Sequence, residues 1–172
     1  MIESLNIPYE FMLKCIIILF LAGLIGYERE RIHRPAGLRT HLLVGLGALI
    51  MSQASMNIFA DDPARIIAGI VTGIGFLGAG TIFREQDIVR GLTTAASLWA
   101  TSGVAIALAI GDYFVGIFGG LMIYGVLQMK HYKMFHKLFN ESEKAHQEVP
   151  ALAYNNQAKK KRKTTKKKVT KK

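Results

Sequence analysis

The sequence predicts an all-α membrane protein: a polytopic bundle of about five transmembrane helices, N-terminus out and C-terminus in, ending in a basic disordered tail. Three observations carry this. Apolar residues make up 51% of the 172 positions. They gather in five runs near bilayer length, joined by short polar connections. Charge is segregated too: Met1 to Ala158 holds 12 basic and 12 acidic residues, so the formal net charge of +10 arises entirely from Lys159 to Lys172.

Each element follows from these patterns. The N-terminus, MIESLNIPYE, has acids and no basic stretch, which predicts a retained span and not a cleaved secretory signal. Span one is expected from about Phe11 to Tyr27, with Lys14 snorkelling to the interface and Ala22 and Gly26 forming a small-residue packing pair. The single cysteine, Cys15, excludes a disulfide framework and a cysteine-based metal site. The connection from Glu28 to His41 carries four arginines and is broken by Pro35 and Gly37. Span two is expected from about Leu42 to Ile58 and span three from about Ile66 to Phe83. A charged loop, Arg84 to Gly91, sets Arg84 and Arg90 against Glu85 and Asp87. Span four is expected from about Leu92 to Ile110 and span five from about Tyr113 to Met129. The division is therefore a membrane domain over 1–130, a short amphipathic segment over 131–158 and a lysine-rich tail over 159–172.

Span three is the expected packing hub. On a helix, Gly75, Ala68, Ala79, Thr72, Gly69, Gly80 and Gly73 fall on one side, and Ile67, Ile70, Val71, Ile74 and Leu77 on the other. Small residues let helix backbones approach closely in lipid, so the glycine face is expected to turn inward.

Basic residues flanking the spans set the orientation. The Glu28 to His41 connection, the Arg84 to Arg90 loop and the C-terminus share one side if there are five spans, which places them in the cytoplasm. The tail residues Lys159, Lys160, Lys161, Arg162, Lys163, Lys166, Lys167, Lys168, Lys171 and Lys172 suit anionic lipid headgroups, at about 1 kcal/mol per basic residue near the surface. Nucleic-acid binding fits the charge but lacks interleaved aromatics and a folded reader.

Chemistry-bearing patterns are sparse. Gly73, Gly75 and Gly78 spell GxGxxG, but inside a continuous apolar span and not at a strand-to-helix turn, so helix packing explains them. No hydrolase, kinase or P-loop signature is present, the histidines lack metal-ligand spacing, and a Ser52, Ser97 or Ser102 nucleophile with His41 has no support in the spacing. Thr93, Ser97 and Thr101 recur at helical spacing with Thr94 alongside, and are expected to bond back to carbonyls or to pack across helices. No acid falls in the middle of any span, which argues against a dedicated Mg²⁺ pathway. No enzyme activity, cofactor or metal site is expected. Acids interleave with the arginines at the expected cytoplasmic ends, more than topology alone requires, which suggests ion pairs or a docking surface.

Three blocks, GLIGYERERIHRPAGLRTHLLVGLGA, DPARIIAGIVTGIGFLGAGTI and VRGLTTAASLWATSGVAIALAIGDY, resemble the MgtC/SapB family of bacterial inner-membrane proteins over roughly Leu21 to Tyr113. The resemblance implies a multi-pass inner-membrane protein associated with growth under magnesium limitation and, in pathogens, virulence. It also implies a mainly regulatory, non-enzymatic role, with restraint of the F-type ATP synthase proposed for some members. The alternative is a small oligomeric channel or carrier for Mg²⁺ or another cation. The family's motif residues fall here on Glu28, Arg29, Glu30, Gly37, Arg39, Thr40, His41, Arg65, Gly73, Gly75, Gly78, Gly80, Arg90, Gly91, Thr93, Thr94 and Trp99. Longer members carry a C-terminal ACT-like domain, in place of which this chain is expected to have only the amphipathic piece and the tail.

Overall fold

The computed structural model describes residues 3–59, 61–85 and 88–129, with side chains from Tyr9 onward. The amphipathic segment and the lysine-rich tail lie outside the described residues. Each of the five apolar runs is a helix: α1 (Glu3–Arg31), α2 (Leu38–Ile58), α3 (Pro63–Ala79), α4 (Leu92–Ala109) and α5 (Tyr113–Gln128). Of these, α1 from Tyr9, α2 and α4 are long and apolar enough to cross a membrane, while α3 and α5 are shorter apolar helices. Local chemistry sets their ends. Pro63 opens α3, where its missing N–H goes unneeded. α1 closes in a Schellman turn: His33 N donates to Glu30 O (2.9 Å) and Arg34 N to Arg29 O (3.0 Å), with His33 at φ 55°. α4 closes the same way on Gly111, at φ 89°.

The core is formed chiefly by α1, α2 and α4. Ile18, Leu21, Ala22 and Ile25 repeat along one face of α1 and are buried with Val44, Ala48 and Leu49 of α2 and Leu98, Val104, Ala105 and Leu108 of α4. α1 and α2 approach so closely that a Cβ on Gly26 would lie 2.8 Å from Leu38 Cα and 3.0 Å from His41 Cβ. Gly26→Ala is therefore expected to push the two backbones apart and to destabilise the protein by about 1–3 kcal/mol. That corresponds to a thermal midpoint roughly 2–10 °C lower in the purified protein. An unchanged midpoint would mean that this seam yields freely.

Three sequence expectations are overturned in the packing of these helices. α3 is not the hub, and its glycine face does not turn inward. Ile70, Ile74 and Gly78 are its buried residues, whereas a Cβ on Gly69, Gly73 or Gly75 would meet nothing within 4 Å. Both faces of this helix are apolar enough for lipid, so composition could not say which one packs. The bulky side won because isoleucines fill the groove between α2 and α4, with Gly78 packed so that an added Cβ would lie 3.4 Å from Ala95 Cβ. Nor does Lys14 snorkel outward: its side chain is only 6% exposed. The outer surface is strongly apolar, with Phe76, Phe114 and Leu43 each more than 70% exposed, as a lipid-facing surface requires.

The connection between α3 and α4, expected as a loop, is a β-hairpin. β1 (Phe83–Glu85) pairs antiparallel with β2 (Ile88–Arg90), Phe83 opposite Arg90 and Glu85 opposite Ile88. Gly91 then turns the chain into α4 at φ 93°.

Candidate functional site

The C-terminal end of α1 meets the N-terminal ends of α2 and α4, and there the chain buries charge. Glu28 and Arg29 are each 3% exposed and His41 is 0% exposed. Arg29 Nη1 stands 3.7 Å from Glu28 Oε2, and its Nη2 donates to Thr94 Oγ1 at 3.2 Å, so one guanidinium ties α1 to α4 across 65 residues of sequence. Both Glu28 oxygens and Arg29 Nε are buried without a hydrogen-bond partner. A buried carboxylate is normally surrounded by donors, and leaving it without them is expensive. Two helix N-termini beside it offer partial compensation through their dipoles.

His41 sits next to this pair. Its Nδ1 faces Gly37 O at 2.9 Å and its Nε2 faces Ser97 Oγ at 3.0 Å. A carbonyl only accepts, so Nδ1 carries hydrogen. Ser97 Oγ also lies 2.8 Å from Thr94 O. In the neutral imidazole, Nε2 and Thr94 O therefore compete for the one hydroxyl hydrogen. In the imidazolium both bonds form at once. His41 and Ser97 have the separation of a base and a nucleophile, yet both are enclosed in the helix junction, 0% and 3% exposed.

Glu30, outside this cluster, has a different task. Its Oε2 accepts from Leu38 N at 2.7 Å and so caps α2 from the end of α1. A Cβ on Gly37 would lie 2.7 Å from that same oxygen, which is why the cap needs glycine there.

Of the motif residues taken from the sequence, the structure thus brings together Glu28, Arg29, His41 and Thr94, with Glu30 and Gly37 alongside. Gly78 packs on α4, and Gly91 makes the turn into it. The remainder are dispersed. Arg39, Thr40, Thr93 and Trp99 are exposed on helix surfaces, Gly73, Gly75 and Gly80 are exposed along or just beyond α3, and Arg65 stands 4.0 Å from Asp62 on the surface. Arg90 pairs with Glu85 across the hairpin at 3.3 Å. Of the α4 hydroxyls, Thr93 faces outward, whereas Ser97 and Thr101 are buried and bond back to carbonyls of the preceding turn at 2.8 Å. Ser97 belongs to the cluster although it was not among the motif residues; its place one turn beyond Thr94 was the available signal. Among the described residues, no group of three or more His, Cys, Asp or Glu side chains could hold a metal ion.

A bundle of apolar helices with a buried charge cluster at one end defines a helical membrane protein. The profile of the MgtC family matches residues 16–135, and the chain belongs to that family. It is 41% identical over 143 residues to "Putative magnesium transporter YhiD" of Escherichia coli K12, covering 77% of this chain and 66% of that protein. It is 44% identical over 111 residues to "Protein MgtC" of Salmonella typhimurium LT2, covering 64% of this chain and 48% of that protein. A third relative, "Protein MgtC" of Brucella abortus, is 51% identical over 92 residues, 53% of this chain and 39% of its own length. The matched region thus spans between about two fifths and two thirds of these relatives. No solved structure matches.

Proposed function

We propose that this chain is a non-enzymatic, multi-pass protein of the bacterial inner membrane that modulates magnesium homeostasis by acting on a membrane partner such as the F-type ATP synthase. The connections rich in arginine face the cytoplasm in this proposal, as the flanking charges predict. The link to magnesium rests on family membership and on the relatives' names. One observation favours a regulator: Arg29 and His41 are bonded to other parts of the chain, joining α1, α2 and α4 through side chains. Such a junction suits an element that changes helix arrangement when a partner binds. On the cytoplasmic side of this proposal, the exposed Arg39 offers that partner a charged contact, and the lysine-rich sequence of the tail suits anionic headgroups.

The experiment follows cellular Mg²⁺ and ATP together in a deletion strain shifted to limiting Mg²⁺, complemented with the wild-type chain, Glu28→Ala or Arg39→Ala at matched membrane levels. The expected result is that ATP or membrane potential shifts before Mg²⁺ content, and that both variants restore growth only in part. Full restoration by both would remove these residues from the functional site. The name of the Escherichia coli relative favours a second possibility, a small oligomeric Mg²⁺ carrier or channel. Mg²⁺ content falling first, together with cation flux through reconstituted protein, would select it.

A further inference from the structure

We propose that the opposite end of the bundle is a site for a monovalent cation, which the chain fills with its own Lys14 ammonium. Three oxygens converge on Lys14 Nζ: Glu10 Oε1 at 2.9 Å, Ala109 O at 3.1 Å and Gln53 Oε1 at 3.2 Å. An ammonium has three hydrogens, so this set satisfies it completely. The oxygens come from three helices and three chemical groups, a carboxylate, an amide and a main-chain carbonyl. These are hard donors, of the kind that bind alkali and alkaline-earth ions.

Ala109 O shows why the place is negative before Lys14 arrives. The Schellman turn that closes α4 satisfies Ala107 O, through Asp112 N at 3.0 Å, and Leu108 O, through Gly111 N at 3.1 Å. Ala109 O, the next carbonyl toward the helix end, is left to Lys14. It stands at the negative pole of the α4 dipole, inside the bundle and away from water. The Glu10 carboxylate adds one full negative charge, which a single positive charge balances. Tyr113 of α5 donates to the same Glu10 oxygen at 3.3 Å, so four helices share the cluster. Glu10 is 54% exposed while the Lys14 side chain is 6% exposed, which gives the site an open rim and an enclosed centre. Truncating Lys14 removes the ammonium and leaves the three oxygens around a space that an ion can enter from the rim.

The test uses the full chain in lipid nanodiscs, comparing the thermal midpoint in sodium, potassium and choline chloride at equal ionic strength. Wild-type protein is expected to show the same midpoint in all three. Lys14→Ala is expected to lie lowest in choline and to recover by roughly 5 °C in sodium or potassium, the size expected for a ligand well above its dissociation constant. Lys14→Ala combined with Glu10→Gln should lose that recovery. A Lys14→Ala protein indifferent to the cation overturns the proposal, and so does a wild-type protein that responds equally. Recovery in magnesium chloride but not in sodium or potassium overturns the monovalent assignment. Should Lys14→Ala fail to accumulate, Glu10→Gln retains the ammonium but removes its carboxylate. Acetylation of Lys14, read by mass spectrometry, should then rise about tenfold, as loss of a charge-assisted hydrogen bond entails. Unchanged protection overturns the proposal.

Discussion

Arg29→Met is expected to destabilise the protein by about 3–5 kcal/mol, because it leaves the Glu28 carboxylate buried with no opposite charge beside it. The side chain is nearly conserved in volume, so packing changes little and the loss is electrostatic. Glu28 is 3% exposed and neither of its oxygens has a hydrogen-bond donor, so Arg29 at 3.7 Å is the nearest compensation among the described residues. Arg29→Met also strips Thr94 Oγ1 of its donor and unties α1 from α4. Adding Glu28→Gln to Arg29→Met should recover part of the stability, with a coupling of about 0.5–3 kcal/mol. Chemical or thermal unfolding of the two single variants and the double variant measures it. Strict additivity would show that the two charges do not sense each other. The double variant also separates stability from function: a stable protein that still fails to restore growth in limiting Mg²⁺ would assign the charges to the activity itself.

Gly91→Ala is expected to cost about 2–5 kcal/mol and to lower the thermal midpoint by roughly 5–15 °C. Two effects add. At φ 93° a Cβ is strained whatever surrounds it. That Cβ would also overlap Thr81 O and lie 2.7 Å from Thr81 C and 3.1 Å from Ile82 Cα, all of them backbone atoms that cannot swing aside. The hairpin is anchored at this point, so its geometry relative to the start of α4, and with it the position of Thr94, depends on a residue without a side chain. Gly103→Ala is the control. Gly103 lies on the open side of α4 with nothing within 4 Å of an added Cβ. There the substitution should leave stability unchanged or raise it by up to about 1 kcal/mol, as alanine does in a helix interior. Equal losses at both positions would mean that the helix, and not the turn, is sensitive to the methyl group.

The sequence made some of this structure visible and hid the rest for physical reasons. Helix positions were legible because apolar runs between charged connections have few alternatives, and the predicted spans and observed helices share a boundary at Ile58, Leu92 and Tyr113. The acids interleaved among the arginines after span one fall where the structure buries Glu28 beside Arg29 and where Glu30 caps α2. The hairpin was hidden: strands of three residues with charges on both faces leave no alternating pattern. Lys14 was hidden because a long aliphatic stem can reach either the interface or the interior. What decided it were Gln53 and Ala109, 39 and 95 residues away in sequence. The glycine face of α3 misled because lipid accepts a small-residue surface as readily as a bulky one.

The length of α3 has a further consequence. At about 1.5 Å per residue its 17 residues extend roughly 26 Å, short of the roughly 30 Å of hydrocarbon in an ordinary bilayer, whereas the 29 residues of α1 extend roughly 44 Å. Lipid beside α3 must compress to meet it, while lipid beside α1 need not. The protein therefore carries a hydrophobic mismatch beside α3, and short-chain phospholipids should gather against the exposed glycines of that helix.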